Sequence, residues 1–203
     1  MNGKIDFNLL ALMNMGLVHA PVIGELPKIE HSTQRVIVAK NGIFIEFVGN
    51  WLQLIKRVGH ISATVPYGSI TEKIELRFKK FPREMFDQFK AQAQAVFPNE
   101  AFAYIHWNRD TNQICLVPGV VLEATGDVIR YGRVDIEDGW QCIGDIHSHP
   151  NSIAYYSDKD NEDDRTGVKC SFVMGLDSAK EMNSVRGRFC VFGTYTEMDS
   201  TFV

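Results

Sequence analysis

Two histidines one residue apart, His147 and His149, stand at the end of a run from Cys142 to His149 that Pro150 closes. In an extended chain successive side chains alternate between faces, so positions i and i+2 project together and both imidazoles can reach one point. Proline lacks the N–H that a sheet ladder needs, so Pro150 ends this strand and leaves the pair at its exposed end. The string Gly144-Asp145-Ile146-His147-Ser148-His149-Pro150 therefore demands a sheet, with two imidazoles at the tip of one strand. Asp145 shares their parity and is placed to orient a ligand without acting in chemistry itself. Ten residues after Pro150, Asp160 offers a carboxylate. Two imidazoles and one carboxylate make the three-ligand set with which a catalytic zinc keeps its fourth position for water. Mn, Co or Ni satisfy the same donor chemistry.

The rest of the chain has room for such a sheet and a second unit. Its 203 residues are 45% hydrophobic and 23% charged, the balance of a globular chain with a sizeable core. The net charge is −4 and no basic cluster exceeds Lys79-Lys80, which argues against nucleic acid or an anionic membrane as partner. Cys115, Cys142, Cys170 and Cys190 form no zinc clip or disulfide framework, read as small buried hydrophobes, and fit a reducing cytoplasm. Phe7 to Gly24 lacks formal charge and ends in Val18-His19-Ala20, but Asn8, Asn14, Gly16, His19 and Pro21 interrupt it and Asp6 precedes it. It reads as neither an export signal nor a membrane span.

Short β-prone runs predict a hairpin of 35–39 and 43–47 turning on Asn41-Gly42, and strands over 61–65 and 74–78. The apolar-rich segment Trp51 to Val58 could be helical. A helix begins near Pro82, with Met85, Phe86, Phe89, Ala93, Val96 and Phe97 on one face, and ends at Pro98. Further strands are predicted over 101–107, 114–117, 120–123, 128–134, 142–149, 168–175 and 188–195, with a helix from Asp158 into the acidic run 160–164. Residues 1–80 thus form a small β-rich unit and 81–203 a second domain.

His147-x-His149-Pro150-x6-Ser157-x-x-Asp160 resembles the JAMM motif of the JAB/MPN metalloprotease family, which includes deubiquitinases. At average residue frequencies, chance yields this pattern on the order of a few times in 100,000 such chains. The resemblance selects Asp160 over Asp158, Asp163 and Asp164. The family's upstream Pro-x-Glu-x-x-Gly pattern falls on Pro98-Asn99-Glu100-Ala101-Phe102-Ala103, with Ala103 where the family has glycine. The run Ser157 to Asp164, with Gly167-Val168-Lys169, Val173-Met174-Gly175, Asn41-Gly42-Ile43-Phe44 and Trp51-Leu52, is similar to the bacterial branch called PRTRC system protein A.

The resemblance implies an α+β fold: a JAB/MPN-like (cytidine deaminase-like) mixed sheet flanked by helices, behind the small β-rich N-terminal unit. It implies one zinc ion with a bound water on His147, His149 and Asp160, with Glu100 as proton carrier and Ser157 as oxyanion donor. Ser157 is also a good helix N-cap. The implied activity is a metallopeptidase cutting an amide or isopeptide bond after the tail of a ubiquitin-like protein. The implied partners are that protein or its conjugates and an operon-encoded adenylating enzyme, in a bacterial cytoplasm. The alternatives are a non-catalytic MPN-like scaffold and a JAB-like peptidase or structural protein of phage tails or cell walls. His19, His31, His60 and His106 have no ligand partner at useful spacing.

Overall fold

The structure is a computed structural model that describes residues 16–29, 33–124, 129–132 and 135–202. The chain divides into two compact units, Met1–Lys79 and Lys80–Val203.

The first unit is a five-stranded sheet of β1 (Gly16–His19), β2 (Thr33–Ala39), β3 (Gly42–Val48), β4 (Leu52–Gly59) and β5 (Lys73–Leu76), in that order. β1 runs parallel to β2 and the other pairs are antiparallel. Ala20, Ile37, Ala39 and Phe44 are buried together, with Val18, Leu26, Ile55, Tyr67 and Ile70 packed around them. Arg35 and Glu46, directly opposite across β2 and β3, bury a salt bridge of 2.6 Å.

Three details differ from the sequence reading. The hairpin turns on Lys40-Asn41, because Ala39 already pairs with Gly42. Asn41 serves instead as a clamp, donating from Nδ2 to Ile70 O at 2.8 Å and accepting from Ile70 N at 3.0 Å. Trp51 to Val58 is not helical: Leu52 and Leu54 are buried in alternation with Gln53 and Ile55, and the strand finds partners on both edges. Residues 61–65 form no strand, since β5 takes the free edge of β4 and 60–72 are left as the connection. Of the uncharged segment Phe7 to Gly24, residues 7–15 lie outside the described residues and 16–19 are β1.

The second unit opens with α1 (Arg83–Val96), capped at Pro82 by extended backbone. Its buried face is Met85, Phe86, Phe89 and Ala93, while Val96 is 44% exposed and Phe97 only half-buried, beneath the Lys180 ammonium. The strands β6 (Phe102–Asn108), β7 (Ile114–Pro118), β10 (Trp140–Pro150), β11 (Val168–Leu176), β12 (Met182–Val191) and β13 (Thr194–Glu197) form one sheet, ordered β13-β12-β11-β10-β6-β7. β8 (Val120–Ala124) and β9 (Ile129–Gly132) pair separately; 128, 133 and 134 lie outside the described residues. The stretch 188–195 is no single strand: Phe192 and Gly193, at φ 47° and 78°, turn the chain from β12 into β13. Such paired positive φ values define the tight hairpin turn that matches strand twist.

β10 is central, antiparallel to β6 and parallel to β11, so the sheet is mixed. The crossover from β10 to β11 contains the short helix α2 (Asp158–Asp163). Phe81 and Phe86 meet Phe172 of β11 edge to face, at 4.9 and 5.2 Å between ring centroids, which puts α1 on the apolar face of the sheet. Lys169 and Ser171 alternate with Phe172 along β11 and so face the other side, where Lys169 pairs with Asp164 at the end of α2. One helix therefore lies on each face. No helix among the described residues is long and apolar enough to cross a membrane.

β10 and β11 approach closely because residue 144 has no side chain. A Cβ there would lie 2.0 Å from Cys170 O and 2.3 Å from its sulfur. We expect Gly144→Ala to cost about 2 kcal/mol or more, as forced overpacking of a core does, read as a lowered unfolding midpoint in denaturant.

Candidate metal centre

The central strand carries His147 and His149 out on one face, as its two-residue period requires. Their Nε2 atoms face each other at 3.2 Å. His147 Nε2 lies 3.4 Å from Asp160 Oδ1, and one donor atom from each of the three residues lies within 4.8 Å of the others. For ligand bonds of 2.0–2.1 Å, the edge of a tetrahedron is about 3.3 Å. The two short separations bracket that edge and all three donor atoms lie within 4.8 Å, so one carboxylate and two imidazoles are grouped as a site for one small cation requires. Glu100 Oε1 stands 3.8 Å from His149 Nε2, next to this cluster.

Asp160 is aimed by the start of α2. Ser157 is the N-cap, and its hydroxyl accepts from Asp160 N at 3.1 Å. The carboxylate reaches back, with Oδ2 accepting from both Ser157 N and Ser157 Oγ at 2.7 Å. This reciprocal capping box satisfies two helix-end donors and leaves Oδ1 free to turn toward His147. The other acids of the run go elsewhere: Asp158 is exposed, Asp163 pairs with Lys159 on the surface, and Asp164 is buried against Arg188 and Lys169. Asp145 orients neither histidine; it accepts from Lys169 at 2.6 Å and Ser171 at 3.1 Å.

The histidines are not at an exposed tip, since both are buried, at 8% and 7% exposure. After Pro150 the chain folds back over β11 opposite His149, where Gly175 leaves the space: a Cβ there would lie 2.6 Å from Ala154 N and Ser152 O. The returning loop lays the Tyr155 ring 4.5 Å from that of His149. Burial and the neighbouring His147, only partly offset by Asp160, lower the His149 pKa to about 4, so this imidazole is neutral and ready to ligate at pH 7. Its Nδ1 is buried without a hydrogen-bond partner.

Ser148 is a contributor that the sequence reading passed over. It points away from the histidine face, is fully buried, and accepts from Ala101 N at 2.8 Å while its own N–H donates to Ala101 O at 3.0 Å. The residue between the two histidines thereby pins the residue after Glu100. Its burial follows from strand parity, but its partner lies 47 positions away. Ala103, at the family's glycine position, is wholly buried opposite Ile146.

His19 stacks on Tyr67, His60 is exposed, His106 is buried, and His31 lies outside the described residues. Cys170 and Cys190 are buried, whereas Cys115 and Cys142 are half-buried; burial raises all four thiol pKa values.

Comparison with known proteins finds a family for the second unit. A model described as prokaryotic homologs of the JAB domain covers residues 82–188, more than half of the chain, and the chain belongs to that family. A second model, a domain of unknown function designated DUF2016, matches residues 8–77. No curated protein matches in sequence. Among solved structures, a Desulfitobacterium hafniense protein determined in solution is 17% identical at TM-score 0.43, aligning 58% of this chain with 87% of its own. A JAB1/MPN domain protein from Archaeoglobus fulgidus is 20% identical at TM-score 0.39, aligning 59% of this chain with 96% of its own.

The lowered His149 pKa makes metal-free stability depend on pH. Because the unfolded chain takes up this proton near pH 6.5 and the folded one only near pH 4, stability falls as pH drops across that window. Chemical denaturation of metal-free protein at pH 7 and pH 5 should show the loss, and His149→Gln should remove that share of it.

Proposed function

We propose that the chain is a zinc-dependent isopeptidase or peptidase that hydrolyses the amide or isopeptide bond at the C-terminal tail of a ubiquitin-like protein. The observation that carries this reading is the convergence of His147, His149 and Asp160, with Glu100 3.8 Å from one of the imidazoles. Membership in a family that includes hydrolases supports it. Zinc held by those three residues supplies Lewis-acid polarisation of the scissile carbonyl and a water that ionises near pH 7.

The chain's own groups then have distinct tasks. Glu100, about nine-tenths buried, takes a proton from the attacking water and hands it to the departing amine as the C–N bond breaks. Ser157 donates to the oxyanion of the tetrahedral intermediate. Its hydroxyl donates to Asp160 Oδ2 in the structure, so donation to the oxyanion requires the hydroxyl to turn. Ser157 therefore links the oxyanion to the ligand carboxylate, and its removal acts on both. An extended tail lies along a sheet edge, where main-chain pairing selects an unfolded C-terminus over a helix. The similarity to PRTRC system protein A supports a co-encoded ubiquitin-like protein as substrate and an adenylating enzyme as its operon partner, in the bacterial cytoplasm.

The test is metal quantification together with cleavage of a co-encoded ubiquitin-like fusion. Glu100→Gln should retain stoichiometric zinc and lose about 10²-fold or more in turnover, the range for removing a general acid–base group. A variant that cuts at the parent rate refutes the proton-carrier role, and a parent that binds zinc but never cuts points to the scaffold alternative. Ser157→Ala should lose about 10²-fold in kcat and also bind zinc more weakly, as seen by competition with a chromophoric chelator.

A further inference from the structure

The helix that carries Asp160 cannot hold its own position. It has six residues, far fewer than an isolated helix needs in water, and none of them is buried. Apolar packing therefore does not place the ligand carboxylate opposite His147. A cation from another strand reaches the segment on both sides of the Ser157–Asp160 capping box.

That cation is Arg188 of β12, which is 4% exposed. Its Nε and Nη2 donate to Asp164 Oδ2 at 3.0 and 2.6 Å, and its Nη1 donates to Asn161 Oδ1 at 2.7 Å. The guanidinium carbon lies 3.6 Å from the ring centre of Tyr156 and 4.2 Å from that of Tyr195. Tyr156 precedes Ser157, and its hydroxyl donates to Ser171 O at 2.8 Å. Asn161 follows Asp160, and its carbonyl accepts from the Tyr195 hydroxyl. Lys169, also paired with Asp145, adds a second cation to Asp164. One planar side chain thus grips the residue before the box, the residue after it and the helix C-cap. Such a three-way grip needs the fork and flat faces of arginine, which a lysine lacks.

We propose that Arg188 is a positioning residue for the metal centre: it sets the Asp160 carboxylate opposite His147 by clamping Tyr156, Asn161 and Asp164 around the capping box. The proposal rests on the metal-binding reading of His147, His149 and Asp160. It assigns the Tyr156–Arg188–Tyr195 stack a role in metal affinity, although none of the three belongs to the donor cluster.

The test is a double-mutant cycle on the full chain with cobalt(II) as the probe, because the ion reports both affinity and coordination through its visible bands. Arg188→Lys keeps the charge and loses the fork. It should weaken cobalt binding about tenfold, the lower end for losing a group that orients a ligand, and change the absorption bands. In an Asp160→Asn background the same replacement should change affinity by less than about twofold, since the carboxylate it acts through is gone. Hydrogen exchange of the metal-free variant should quicken over residues 157–164 and stay unchanged in β10 and β11. Asn161→Ala, which leaves the Arg188–Asp164 pair intact, provides a second route: a loss of a few-fold in affinity, absent in the Asp160→Asn background. Equal losses in both backgrounds, or no loss, overturn the positioning role and leave the metal-binding reading standing. A parent protein that binds no cobalt overturns both.

Discussion

The pairing of β10 with neighbours on both edges is the constraint on which the second unit depends. A strand held between β6 and β11 cannot slip by one residue without moving every side chain to the opposite face. Register therefore decides that Ile146 meets the apolar layer while Asp145, His147 and His149 meet the polar one. Gly144 and Gly175 let the strand and its return loop approach β11 closely, and neither position has room for a side chain. The same strand sends Ser148 to the backbone beside Glu100, so one element places both histidines and fixes the chain next to the glutamate.

The two faces of the sheet are held together by different physics. On one, α1 buries Met85, Phe86, Phe89 and Ala93, and Phe81 and Phe86 meet Phe172, so burial of apolar area supplies the adhesion. On the other, α2 has no buried residue, and its C-cap Asp164 is held by Arg188 and Lys169. Burial by itself raises the Asp164 pKa, but the two cations more than offset this, and the carboxyl is held below its usual range. A buried pair of this kind is weak as a source of stability, because desolvation consumes much of the attraction. Its directionality, through a planar fork, suits the placing of one carboxylate.

Much of this was legible in the sequence because it depends on short-range rules. Strand parity put His147 and His149 on one face, and Ser157 preceding a run of acids announced a helix cap. The spacing to Asp160 allowed a carboxylate ligand, while the family pattern, not geometry, singled it out from its neighbours. The misreadings share a cause. Trp51 to Val58 has enough apolar residues for either periodicity, and its partners β3 and β5 decided for strand. Asn41-Gly42 looked like the turn itself, yet pairing began at Gly42 and released Asn41 to clamp Ile70.

The sequence by itself determined the donor types, their common face and the cap that precedes Asp160, since all of these follow from spacings of two or three residues along a backbone of known geometry. Only the tertiary structure decided that the imidazoles are buried, that Ser148 holds the chain at Glu100, and that Arg188 and Tyr195 meet α2 some thirty residues earlier. Those outcomes depend on which strands become neighbours. That is settled by the packing of the whole sheet, because no local pattern encodes the partner of a side chain that lies far away along the chain.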